Sequence, residues 1–322
     1  MDWRSALVAY IREQLPSADS VEIAGLHGMP AGASNETIGL DLRITCDGHD
    51  CVLPLVLRPQ RTVGILAPYD VGRQFRVMRA LAPTAVPVPA VLWHEPTGDV
   101  LGTPFFFMQR VRGETLPLFW YGSRTPRLEA SARALAAIHE VDWRAAGLSF
   151  LLPPAGAELP SPVECDLAPW RERAAHAGLA NHPLLVSLGG FLAANEPADA
   201  RHALIHGDPN PGNYLVRGND VVAVLDWELA AIADPRADFG FYAALLAVFG
   251  GMPGERGQTL LSSAYEAATG RSLANLDYYE ATGLYKMAVV MAGWAGHLGG
   301  GYYGLDAIAR RLALLFGPRW AA

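Results

Sequence analysis

Two short strings hold the residues whose types and spacing could do chemistry. One runs His206-Gly207-Asp208-Pro209-Asn210-Pro211-Gly212-Asn213, the other Ala223-Val224-Leu225-Asp226-Trp227-Glu228. A Gly-Asp step followed by two prolines and a glycine cannot be helix interior, so the first string is a rigid loop. The apolar run Ala203-Leu204-Ile205 delivers it from the core. After it come Tyr214-Leu215-Val216, a turn at Arg217-Gly218-Asn219-Asp220 and the apolar run 221–225, the pattern of a β-hairpin ending at Asp226. Folded in this way, the hairpin returns Asp226 to the side of the loop that carries Asp208 and Asn213. Two carboxylates and a carboxamide facing one point from rigid backbone suit phosphoryl transfer. One Asp must accept the proton of an attacking hydroxyl, while the other, with the Asn, offers hard oxygen ligands to the Mg²⁺ that neutralises phosphates. These residue types are also ordinary loop formers. What separates the stretch from an ordinary loop is three polar ligands at set spacing, divided by β-type runs.

The order HGDxxxxN, then LDWE, then DPRADFG resembles the aminoglycoside phosphotransferase and choline kinase-like family. The resemblance covers essentially the whole chain. It implies an α+β, two-lobed protein kinase-like fold: an N-terminal lobe over 1–110 built on an antiparallel sheet with one helix, and a mainly helical lobe over 111–322. It further implies that Asp208 is the catalytic base, that Asn213 and Asp226 are the magnesium ligands, and that Asp234 and Asp238 brace the site.

The elements that must position these groups follow from the rest of the chain. At 322 residues there is ample material for a core, and 51% hydrophobic content is a globular value. A net charge of −7 disfavours a nucleic-acid partner, whose phosphates demand basic surface. No uninterrupted apolar run approaches a membrane span of roughly 18 residues. The opening MDWRSALVAYIREQLP carries charges throughout and lacks a leader's apolar core, so a cytoplasmic location is expected. Cys46, Cys51 and Cys165 form no metal-spaced set; Cys46 and Cys51 are spaced to pair across a turn, but buried free thiols are the expectation.

Residues 3–15 read as an amphipathic helix, and Val21–Ala24 and Thr37–Thr45 as strands around a glycine-rich turn. In kinase-like lobes such a turn covers nucleotide phosphates with backbone N–H groups, which on the resemblance gives Ser34 and Asn35 to the nucleotide. The next strand, Cys51–Arg58, is where the family carries a phosphate-binding lysine. The chain has one lysine, Lys286, far downstream, so Arg58 must serve as the strand's cation, and it can bind phosphate bidentately. A helix capped by Asp70 follows. The family's glutamate partner for the strand cation falls on Gln74, which leaves a neutral hydrogen bond in place of an ion pair. The run Phe105–Val111 reads as the last strand and the hinge, with backbone around Gln109 and Val111 expected to hold the adenine.

Beyond residue 113 the pattern turns helical. His139 closes an Ala-rich helix and reads as a packed residue, and His206 as a group that holds the loop. The last two hundred residues place helices near 166–177, 183–195, 241–249, 258–269, 276–295 and 305–316. Asp277, Glu280 and Asp306 are the acids between 276 and 306, few for a pocket that takes a polycation. The expected activity is therefore an ATP- or GTP-dependent, Mg²⁺-requiring transfer of a γ-phosphoryl group to a small-molecule hydroxyl, with an acceptor more neutral or apolar than an aminoglycoside. The LVLR strand and the string FRVMRALAPTAVPVPAVL resemble the kinase domains fused to acyl-CoA dehydrogenases, which implies a hydroxyacyl-type acceptor. Two other readings stand beside this one: a nucleotide-binding protein without transfer activity, motivated by Arg58 and Gln74, and an antibiotic resistance kinase.

Overall fold

Alternation of apolar residues builds the N-terminal part of the protein. In β2 (Ile38–Cys46), Leu40, Leu42 and Ile44 fall on one side, and Leu55 and Leu57 of β3 (His49–Pro59) and Phe105 and Phe107 of β5 (Phe105–Gln109) join them. Their shared face is covered by Leu7 and Ile11 of the opening helix α1 (Trp3–Gln14). With β1 (Ser20–Gly28) and β4 (Val91–Glu95), the strands form one antiparallel sheet in the order β1-β2-β3-β5-β4. A second helix, α2 (Val71–Leu81), starts where Asp70 accepts the backbone N–H of Arg73 at 2.9 Å, and it packs Phe75 against Phe106. The lobe thus holds two helices where one was expected, because α1 belongs to it as well.

This computed structural model describes residues 2–28, 37–62, 64, 66–117, 125–152, 158–249, 255–298 and 304–320, with backbone only at 255–259 and 294–298. Ser34 and Asn35 lie outside the described residues. The chain divides into two compact units, residues 1–82 with 88–112, and residues 83–87 with 113–322.

The second unit is mainly helical: α3 (Pro126–His139), α4 (Pro162–His176), α5 (Pro183–Ala194), α6 (Arg236–Phe249), α7 (Glu255–Thr269), α8 (Leu276–Leu298) and α9 (Leu305–Phe316). Among them, in the described residues, lie five short strands. β6 (Glu114–Thr115), β8 (Tyr214–Arg217) and β9 (Asp220–Val224) form a three-stranded sheet, and β7 (Ala203–Ile205) pairs with β10 (Ala231–Ala233). Helices α6 and α8 cross closely because glycines meet there: a Cβ at Gly240 would stand 1.9 Å from the Tyr279 carbonyl oxygen, and one at Gly283 2.3 Å from that of Gly240. The aromatic stripe of α8 is core, with Tyr278, Tyr279 and Tyr285 buried.

The thiols differ from expectation. Cys165 is buried, but Cys46 and Cys51 are exposed, since the β2–β3 hairpin tip runs past the apolar face that α1 covers. Among the described residues, no helix is long and apolar enough to cross a membrane.

Candidate active site

Strand β7 is buried at all three positions and ends at Ile205, so the loop that follows starts from fixed core. Gly207 then turns with φ +85°, and a Cβ there would fall 2.2 Å from the Leu229 carbonyl oxygen. Glycine is required at this step by both conformation and space. His206 is fully buried and ties the loop to the hairpin. Its Nε2 bonds to the Leu225 carbonyl at 2.8 Å, and the Asp208 N–H bonds to its Nδ1 at 3.3 Å. The expected role of His206 as the loop's anchor is what these bonds describe.

Asp208 is half-buried, and its carboxylate is oriented from two sides. Asn210 Nδ2 donates to Oδ1 at 2.9 Å, and Asn213 Nδ2 donates to Oδ2 at 3.2 Å and to the Asp208 backbone carbonyl at 2.8 Å. Asn210 is itself held by its Oδ1, which accepts the Gly212 N–H at 2.8 Å. Burial pushes the Asp208 carboxyl above the usual carboxylate range; the Asn210 bond and His206 oppose this, and the Asp226 carboxylate pushes the same way as burial.

The hairpin closes as the sequence requires, with β8 and β9 antiparallel and joined at Arg217↔Asp220. At its end the Leu225 N–H donates to the Asn213 carbonyl at 2.8 Å, so the metal-type residues Asn213 and Asp226 sit on backbone that is directly bonded. Asp226 has φ +62° and ψ +61°, a left-handed conformation that costs a non-glycine residue on the order of 1 kcal/mol.

Beneath the loop lies Asp238, completely buried in the first turns of α6. Its Oδ1 accepts the Gly207 N–H at 2.7 Å, and its Oδ2 accepts the His206 N–H at 3.0 Å and His139 Nε2–H at 2.9 Å. Burial alone would raise its pKa, but its hydrogen bonds, from His139 first and from the His206 backbone as well, hold it below the usual carboxylate range. His139 accepts the Tyr265 hydroxyl at Nδ1, 3.0 Å away, so it is a packed bracing group. Asp234 is clamped by Arg236, whose Nε reaches Oδ1 at 2.8 Å and whose Nη2 reaches Oδ2 at 3.0 Å. The helix expected over 241–249 starts earlier, at Arg236, inside DPRADFG. Asp234 Oδ1 accepts the Arg236 N–H at 2.9 Å ahead of a proline, a capping signal visible in the residues themselves.

In the first unit, Arg58 stands opposite Phe106 on β3, Nη2 donating to Gln74 Oε1 at 3.2 Å and Nη1 to Thr37 Oγ1 at 3.2 Å. The neutral bond expected between Arg58 and Gln74 is therefore formed, and Gln74 is buried. Gln109 ends β5, and its backbone N–H is committed to the Ala90 carbonyl at 2.8 Å; Val111 follows the strand. Lys286 lies in the core of the second unit, its Nζ 2.6 Å from Asp166 Oδ1.

The donor set of Asn213 and Asp226, one carboxamide and one carboxylate, fits a Mg²⁺ ion. That ion keeps waters and substrate oxygens and takes only one or two protein carboxylates. Among the described residues no three His, Cys, Asp or Glu side chains group as metal ligands.

Comparison with known proteins places this geometry. The chain is 32% identical over 200 residues to mouse acyl-CoA dehydrogenase family member 10, a match that covers 58% of the chain and 18% of that relative. It spans between 18% and 30% of the lengths of the acyl-CoA dehydrogenase family members 10 and 11 that it matches. A crystal structure from Ralstonia eutropha, named as an aminoglycoside phosphotransferase, superposes with a TM-score of 0.66 at 24% identity, over 98% of this chain and 97% of that one. A thermostable mutant of aminoglycoside phosphotransferase APH(4)-Ia, in complex with ADP and hygromycin B, superposes with a TM-score of 0.59 at 16% identity, over 98% and 99%. These likenesses establish the kinase-like phosphotransferase fold. Residues 30–276 match the family described as the Phosphotransferase enzyme family (APH), and the chain belongs to that family.

Proposed function

We propose that the protein transfers the γ-phosphoryl group of ATP or GTP to a hydroxyl of a small molecule. The observation that carries this reading is the bonded loop and hairpin end. Asn213 reaches the Asp208 carboxylate through its side chain and Leu225 through its carbonyl, so base and ligand residues share one scaffold.

In this reading Asp208 accepts the acceptor's hydroxyl proton as its oxygen bonds to the γ-phosphorus and the bond from that phosphorus to the bridging oxygen breaks, releasing the nucleoside diphosphate. The proton then passes to solvent. The upward shift that burial gives the Asp208 carboxyl suits a group whose role is to take a proton. Asn210 and Asn213 hold its two oxygens, which fixes the angle of attack. Asn213 and Asp226 would hold Mg²⁺, which supplies neutralisation of the phosphate charge. Arg58, steadied by Gln74 and Thr37, would contact the phosphates from the first unit, with backbone at Gln109 and Val111 taking the base.

The acceptor is expected to be neutral or apolar. Of the three acids in the α8–α9 region, Glu280 is fully buried and bound by Arg311 at 2.9 Å through Nη2, so it cannot serve a polycation. The relatives named as acyl-CoA dehydrogenase family members make hydroxyacyl compounds the first acceptors to try. A cytoplasmic location accords with this chemistry.

The test measures Mg²⁺-dependent nucleoside diphosphate release across a panel of hydroxylated acceptors, for the wild type and for Asp208→Asn. Acceptor-stimulated release in the wild type, lost in the variant with nucleotide affinity retained, is the expected result. Nucleotide binding with no acceptor-stimulated release across the panel would favour a binding protein, and stimulation by aminoglycosides alone an antibiotic kinase.

A further inference from the structure

The second unit contains a polar recess of about 340 Å³ to which neither Asp208, Asn213 nor Asp226 contributes. One wall is basic. Arg201 and Arg271 line it, with Ser272 beside them, and both guanidinium groups are about half exposed. They share a single carboxylate oxygen, Glu140 Oε1, which lies 3.9 Å from Arg201 Nη2 and pairs with Arg271 Nη1. Among the described residues no acceptor lies within hydrogen-bond distance of the Arg201 guanidinium, a fork of five donors. An exposed pair of this kind is worth little, so an oxyanion would displace Glu140 at small cost. The carboxylates that line the recess are occupied, since Arg236 Nη1 binds both oxygens of Asp199 at 3.1 Å and its Nε and Nη2 bind Asp234. Two adjacent guanidinium groups and a hydroxyl suit the oxygens of a phosphate or phosphomonoester.

The recess is also wired to the catalytic loop. Tyr265 lines it, and the Tyr265 hydroxyl donates to His139, which donates to Asp238, which accepts the backbone N–H groups of His206 and Gly207. Asp234, which also lines the recess, accepts the Arg201 backbone N–H at 2.9 Å. Every link lies in one unit, at 2.7–3.0 Å.

We propose that the recess at Arg201, Arg271 and Ser272 is a binding site for a small phosphate-bearing anion, coupled to the Asp208 loop through Tyr265, His139 and Asp238. Its occupant is either free phosphate or a phosphomonoester, and the two are distinguished by which one competes at the lower concentration.

The test titrates inorganic phosphate, then glycerol 3-phosphate, into the whole protein by calorimetry at constant ionic strength. Saturable binding of one equivalent is expected, weakened roughly tenfold by Arg201→Ala and by Arg271→Ala and tightened by Asp199→Asn, which removes a like charge. Both arginines are exposed enough that truncation should leave the fold intact. Asp208→Asn should leave the affinity within about twofold, because that residue lies outside the recess. Bound phosphate should also slow hydrogen exchange at the His206 and Gly207 amides, and Tyr265→Phe should remove that slowing without loss of binding. Absence of saturable binding, or binding that survives both arginine variants and is lost in Asp208→Asn, would overturn the site. Binding with unchanged exchange in the wild type would overturn the coupling.

Discussion

Replacing Asp238 by Asn probes how the loop is held, because the substitution keeps shape and removes one acceptor and the charge. The wild-type carboxylate takes three N–H donors with no exposure to solvent. In the less costly orientation, the new NH₂ group faces Gly207 and leaves that buried backbone N–H without an acceptor, at about 1–3 kcal/mol. The bonds from His206 and His139 persist but lose the charge that roughly doubles their strength. Removing a buried charge also gives something back. The direction of the pKa shift decides the balance: Asp238 lies below the usual range despite its burial, so the bonds outweigh desolvation and neutralisation is a net loss. The expected destabilisation is about 2–4 kcal/mol, a fall in Tm of roughly 5–10 °C. The sign of its pH dependence follows from the depressed pKa. The stabilisation is complete above the unfolded-state carboxylate range and is lost as pH falls through the folded-state value, so the gap between wild type and variant narrows in acid. Urea unfolding at neutral and acidic pH measures it. A difference under about 1 kcal/mol at neutral pH, or a gap that widens in acid, would refute the bracing argument.

Asp208→Asn should remove turnover and keep nucleotide affinity, read by steady-state kinetics and calorimetry side by side. In the wild type, kcat/KM should rise with pH along an acid limb lying above the ordinary carboxylate range, because the base works ionised and burial raises its pKa. Arg58→Ala should raise the nucleotide KM by roughly tenfold with little change in Tm, since a charged phosphate contact is lost from a half-buried position. Gly283→Ala should lower Tm although alanine is the better helix former by about 1 kcal/mol, because its Cβ would meet the Gly240 carbonyl at 2.3 Å.

Much of this was legible in the residues. The GD-proline loop and the apolar runs around 217–220 specify a rigid loop and a hairpin, and the structure forms both, with Leu225 bonded to Asn213. Asp70 ahead of an apolar periodicity marked α2, and the alternation of β2 and β3 marked the sheet. Other features left no local trace. Strands of two or three residues such as β6 and β10 have no periodicity to read, and they exist through pairing with chain far away. The Tyr265–His139–Asp238 chain joins residues from three helices, each bland alone. Gly240 and Gly283 look like weak points in helices until the crossing of α6 and α8 shows what they admit. The exposed Cys46 and Cys51 were misread because a thiol's usual burial says nothing of where a hairpin tip ends. The start of α6, by contrast, was readable: Asp-Pro is a helix opening, and the helix expected over 241–249 in fact starts at Arg236.

The division of labour among the three polar residues is tested most directly by Mn²⁺ binding, followed by paramagnetic relaxation of solvent water in the presence of a non-hydrolysable ATP analogue. Asn213→Ala and Asp226→Ala should each weaken the ion's affinity by roughly tenfold or more, while Asp208→Asn leaves it nearly unchanged. Equal losses in all three variants, or none in the first two, would contradict the assignment of one aspartate to the acceptor hydroxyl and of the other, with its asparagine, to the metal.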